Sequence, residues 1–120
     1  MSGQRIIIEL GAGADLHGRD YTKAAKRAVE DAMRHSSLSL FRSLKLEPGA
    51  MRVEILIGAQ EPGEVDRQAV ADVLPYGSRE VTVVKGGVNA DGMGGPGDTI
   101  IVSAAVTAYV DIPAGAWRLS

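Results

Sequence analysis

Cysteine is absent from this chain of 120 residues, which excludes a disulfide framework, a thiolate metal site and a cysteine nucleophile. Aromatic residues are scarce: with one Trp, one Phe and three Tyr, the core has to be aliphatic, built from Val, Ile, Leu and Ala. No excess of either charge sign is present. The formal net charge of −2 gives no electrostatic reason to expect nucleic acid or an anionic membrane as partner. Long hydrophobic runs are missing as well. The longest nearly apolar stretch, Ile100 to Val110, falls far short of the roughly 20 residues that span a bilayer, and the start, Met1-Ser-Gly-Gln-Arg5, has no signal-peptide core. Only two histidines occur and there is no H-E-x-x-H pattern, so neither a metal nor a cofactor is expected. The expected location is the cytoplasm.

What is present fits one folded domain spanning residues 1–120. Apolar residues make up 45% of the chain and the mean hydropathy is +0.02. Arg5-Ile-Ile-Ile-Glu-Leu10 reads as a strand, and its β-branched run suggests cover on both faces. The stretch Gly11 to Lys23 reads as a strand-to-helix loop, with Asp20 as N-cap of a helix from Tyr21 to Arg34. Tyr21, Ala24, Ala25, Ala28, Val29, Ala32 and Met33 form its apolar stripe. The opposite face reads as solvated charge, with Lys26–Glu30 and Arg27–Asp31 at i,i+4.

Leu38, Phe41 and Leu44 suggest a short helical turn, and Glu47 to Ala50 a chain reversal. Met51 to Ile57 alternates as a half-buried strand. Asp66 caps a short helix with Ala69, Val70, Val73 and Leu74 inside, stopped by Pro75 and Gly77. Glu80 to Lys85 is a third strand, followed by a loop from Gly86 to Gly97 in which six of twelve residues are glycine. Thr99 to Ile112 is a strand long enough to suggest a bulge near Ala104-Ala105 or pairing across a subunit boundary. Pro113 ends it, and Trp117 lies in a tail.

The order β-α-β-α-β-β implies an α+β open sandwich with both helices on one face of the sheet. Its other face, rich in apolar residues, calls for a partner subunit. A homo-oligomer is therefore expected.

Chemistry concentrates in the first loop. Gly11-Ala-Gly13 after a strand invites a dinucleotide fingerprint, but Leu16 stands where the third glycine belongs. Gly11, Gly13 and Gly18 then read as close-approach and turn positions. Asp15 and His17 form a general acid/base pair, half a metal site or polar ties to the loop backbone. Lys23 opposes the helix dipole in the first turn, so it faces an anion, an interface carboxylate or a substrate, or else is an ordinary surface lysine. Lys85 closes an apolar strand and opens the glycine loop, a placement suited to binding. The candidate catalytic residues are therefore Lys23, Lys85 and His17, and the candidate substrate-binding residues are Asp15, Asp20, Gly86 and Gly87. His35 reads as a helix C-terminal histidine, and Ser36, Ser37 and Ser39 as caps or a nucleophile beside a lysine.

The segment from Arg5 to Ala32 resembles the N-terminal signature of a small family of uncharacterised bacterial proteins: a strand, Gly-x-Gly-x-Asp-x-His-Gly, then Asp-x-Thr-Lys-Ala-Ala. Leu74-Pro-Tyr-Gly77, Gly86-Gly87 and Ala104-Ala-Val106 resemble that family too, so the match covers nearly the whole chain. Arg19 replaces a glutamine and Ser39 a proline of the pattern. That family carries no assigned activity. A more distant resemblance links Lys85-Gly-Gly-Val-Asn89 to the repeat unit of the cyanuric acid hydrolase/barbiturase enzymes, in which three units surround one active site. It implies a trimer with an active site at the subunit boundary, acting on a cyclic amide; the serine-glycine-glycine element of those enzymes is missing here. Two functions follow: a homo-oligomeric enzyme acting on a small polar molecule, or a non-catalytic small-molecule-binding or structural oligomer.

Overall fold

The computed structural model describes residues 4–16, 18–34, 51–74 and 78–110. The expectations for His17, for residues 35–50, for residues 75–77 and for the tail with Pro113 and Trp117 fall outside these residues.

The fold is α+β. In chain order the elements are β1 (Gln4–Asp15), α1 (Tyr21–Arg34), β2 (Met51–Ala59), a 3-10 turn (Pro62–Glu64), α2 (Arg67–Ala71), β3 (Ser78–Lys85), β4 (Val88–Gly92) and β5 (Gly95–Val110). The sheet runs β1-β5-β2-β3, with β4 also paired to β5. β2 and β3 are parallel, joined through α2, and the other pairings are antiparallel.

β5 organises the sheet. One edge pairs with β1 from Gln4↔Val110 to Asp15↔Ile100. The other edge is shared: β2 takes Ser103 to Val110 and β4 takes Gly95 to Ile101. Its unusual length is thus used within one chain. The bulge expected at Ala104-Ala105 is not there; the register shifts lie between Arg5 and Ile7 and between Ala90 and Gly92.

Three further expectations are corrected. β1 does not stop at Leu10 but continues to Asp15, so Gly11 and Gly13 are strand residues rather than loop residues. The glycine-rich segment 86–97 holds a strand, β4, and a hairpin, because pairing with β5 satisfies backbone groups that a loop would leave to water. Nor is β1 covered on both faces: Ile8 is half exposed, since the helices pack on one side only.

On that side lie Val53, Ile55, Ile57 and Ala59 of β2, with Ile100, Val102, Ala104, Val106 and Ala108 of β5. Against them pack Ala24, Ala25, Ala28, Val29 and Ala32 of α1, and Val70 and Leu74 at α2. The alanines matter because they let the helix approach closely. A Cβ on Gly11 would lie 2.4 Å from the Ala28 carbonyl oxygen, and one on Gly13 would lie 2.3 Å from the Ala24 carbonyl oxygen. Glycine on the strand and alanine on the helix together set this spacing.

Both helix starts are capped as their sequences imply. Asp20 Oδ1 accepts from the Lys23 amide at 3.0 Å, and Asp66 Oδ1 from the Ala69 amide at 3.1 Å. The Asp66 amide in turn donates to Thr22 Oγ1 at 2.8 Å, joining the two caps. Substituting Asp66→Ala is expected to cost about 1 kcal/mol, read as a lowered midpoint in a urea melt with unchanged slope.

Between β3 and β4 the chain steps across the end of β2. Gly87 has φ of +65°, and a side chain there would meet the Ile101 carbonyl oxygen at 2.3 Å. Gln60 Nε2 fixes the step by donating to the carbonyl oxygens of Gly86 at 3.0 Å and Gly87 at 3.2 Å.

Candidate functional site

Asp15 is the last residue of β1, and its carboxylate points to the helix-covered side, beneath the start of α1. It is 4% exposed, one of two buried charged residues among those described. Oδ2 accepts from the Asp20 amide at 2.8 Å and the Gly18 amide at 3.1 Å. Oδ1 faces Lys23 Nζ at 3.9 Å and Arg27 Nη1 at 4.0 Å. The Asp20 amide does most to hold the Asp15 carboxyl below the usual carboxylate range. Burial opposes it but is the smaller effect, and Lys23, the Gly18 amide and Arg27 lower it further.

This resolves the misplaced Lys23. Its counter-ion is Asp15 of the same chain, one turn below the helix start. Arg27 lies one helical turn further along at i,i+4 and donates to the Ala14 carbonyl oxygen at 2.6 Å. Asp31, a further i+4 on, accepts from the Ala12 amide at 3.0 Å. The charged face of α1 thus caps the outer edge of β1, where the sequence suggested solvation for most of the face. The i,i+4 spacing of Lys23, Arg27 and Asp31 was the available signal, but it needed a strand edge to point at.

Beside this cluster, Asp20, Thr22, Lys23, Lys26, Arg27 and Glu30 line a shallow groove of about 400 Å³. Lys26 has no ion-pair partner among the described residues. The loop is held from its far side by Arg19, at φ +51°, whose Nη2 donates to the Pro96 carbonyl oxygen at 3.4 Å and whose Nε lies 4.0 Å from Asp98 Oδ1. Asn89 Nδ2 donates to the Tyr21 hydroxyl at 2.8 Å, tying β4 to the helix start. Sequence reasoning missed Arg19, Arg27, Asn89 and Asp98, because each acts on a partner distant in the chain.

Of the candidate residues, Asp15, Asp20 and Lys23 therefore come together. His17 lies outside the described residues. Lys85 stands apart, at the end of β3, three strand spacings or roughly 14 Å from β1. Gly86 and Gly87 form the step across β2 described above. Among the described residues, no three His, Asp or Glu side chains gather to hold a metal, and no helix is long and apolar enough to cross a membrane.

Residues 5–108 match the model of the conserved hypothetical proteins named Lin0512_fam. The chain belongs to that family. The family agrees with the resemblance drawn from Arg5 to Ala32 and the later segments in one respect: it is conserved and uncharacterised. A similar fold is found in a crystal structure. An FtsZ-like protein of unknown function from Nostoc punctiforme PCC 73102 is 33% identical, with a TM-score of 0.79 over 93% of this chain and 99% of that one. No curated protein matches.

Proposed function

We propose that this Lin0512-family protein is a cytoplasmic homo-oligomer that binds a small polar molecule in the α1 groove without transforming it. The observation that carries this reading is the state of Asp15. Oδ2 is held by two amides and Oδ1 faces two cations at 3.9 and 4.0 Å, so it anchors the site as a fixed anion. A general base has to take up a proton near the working pH, and a carboxyl held below the usual carboxylate range is poorly suited to that. Lys23, Lys26 and Arg27 offer donors along the groove, while Asp20 and Glu30 offer acceptors. A ligand that carries both carbonyl acceptors and N–H donors, as a cyclic amide does, suits that mixture. Chemistry by a lysine pair would need Lys85 beside Lys23, which two copies would have to supply.

Barbituric acid as cyclic-amide probe and citrate as plain anion test the reading by calorimetry. Barbituric acid is expected to bind the parent, and Lys26→Ala to weaken it about tenfold, or ~1.4 kcal/mol. The probe should be recovered unchanged after incubation. Hydrolysis of the probe would replace binding with catalysis, and absence of binding by either compound would remove the groove from consideration.

A further inference from the structure

The face of the sheet opposite the helices is uncovered among the described residues and apolar along its middle. Ile8 is 50% exposed, Leu10 67%, Leu56 46%, Val84 45% and Val88 58%. These five do not lie scattered. The pairing registers place them in consecutive rows: Ile8-Thr107-Glu54-Glu80, Leu10-Ala105-Leu56-Thr82, Ala12-Ser103-Gly58-Val84 and Ala14-Ile101-Val88. We infer that this open face is the contact between copies of the chain, with a second copy as its occupant. The inference rests on the homo-oligomeric part of the function proposed above and is independent of the ligand, which sits on the other side of the sheet.

Three features argue for a second copy rather than a different partner. Extent comes first. β5 has 16 residues, β1 flanks it from Ile100 to Val110, and β2 with β4 fill its other side. At ~3.3 Å per residue and ~4.8 Å per strand, with β3 added, the face covers roughly 800 Å². Each partner in a stable complex contributes about the same area.

Relief comes second. By residue size, Ile8 and Leu10 on β1 make a ridge beside a short trough at Ala105 and Ser103 on β5, bounded by Thr107 and Ile101, with Leu56 on β2 beyond it. Such a surface is complementary to itself, because the β1 ridge of one copy fits the β5 trough of another when two sheets stack face to face.

Charge comes third. The polar end of the face carries both signs: Arg52 Nη1 pairs with Glu54 Oε1 at 3.0 Å and stacks 4.2 Å over the Tyr109 ring, while Glu80 lies opposite Glu54 on β3. A patch of mixed sign at one end and none at the other does not call for a strongly charged partner.

The parent is expected to run in light scattering as a multiple of its 12.6 kDa. Leu10→Glu with Val88→Glu should shift it to monomer while its circular dichroism stays native, and Met93→Glu at the exposed hairpin tip should leave the assembly intact. Should the double variant fail to fold, a reporter settles the matter. The parent lacks cysteine, so Leu10→Cys gives one thiol, and its maleimide labelling should be about tenfold or more slower in the assembly than in the unfolded chain. A monomeric parent with fast labelling would mean a bare face. A monomeric parent with slow labelling would mean cover by the chain's own residues, such as 111–120. Either overturns the inference. Loss of barbituric acid binding with the assembly intact would strike only the ligand assignment.

Discussion

Gly13→Ala is expected to destabilise the protein by about 3 kcal/mol or more, the upper range for overpacking, and to lower its melting temperature by on the order of 10 °C. The added Cβ would lie 2.3 Å from both the Ala24 carbonyl oxygen and the Ala28 amide nitrogen. Both are helix backbone, so no rotamer change relieves the contact. Helix α1 would have to lift from β1 by about an ångström, and the fully buried alanines at 24, 25, 28 and 32 would lose close packing with the sheet together. Such a loss is a large share of the 5–15 kcal/mol that typically holds a domain together. Gly63→Ala provides the control, because nothing lies within 4 Å of a Cβ there. A denaturant melt in which both variants match the parent would show that the helix does not sit on Gly13.

Asp15→Asn should produce the second largest effect, about 2–4 kcal/mol at neutral pH, because charge-assisted hydrogen bonds are lost and Lys23 and Arg27 lose their shared counter-ion. Its pH dependence gives a sharper test than its size. The folded-state pKa of Asp15 is lowered, chiefly by the Asp20 amide. A depressed carboxylate contributes stability in full above its unfolded pKa and loses it as the pH falls through the folded value. The gap between parent and variant should therefore be constant from neutral pH down to about 5 and shrink below about 4. A gap that stayed constant at low pH would mean that Asp15 is not the anion the site is built around.

Much of the local structure was legible from residue order alone. The alanine-rich stripe gave α1 its bounds, Asp20 and Asp66 marked both helix starts, and alternation marked the buried faces of β2 and β5. Leu16 dismissed the nucleotide fingerprint. Lys23 stood out against the helix dipole, and the density of polar residues around Asp15 picked out the loop that carries the cluster.

What stayed hidden was everything set by contact between distant segments. Local propensity alone cannot extend a strand through Gly11 and Gly13, because glycine disfavours strand unless another backbone presses against it. Segment 86–97 looked like a loop for the same reason. Its strand exists because β2 ends at Ala59 and leaves the upper half of β5 free to pair with β4. The counter-ion of Lys23, the reach of Arg27 to Ala14 and the cap of Asp31 on Ala12 all depend on where α1 crosses β1. The sequence by itself determined which residues would be helix, which would be buried, and which loop would gather charge, since these follow from periodicity and capping chemistry. Only the tertiary structure decided that the charge serves Asp15 and the β1 edge and that Lys85 lies three strands away, because strand order and helix placement follow from long-range packing that no local pattern encodes.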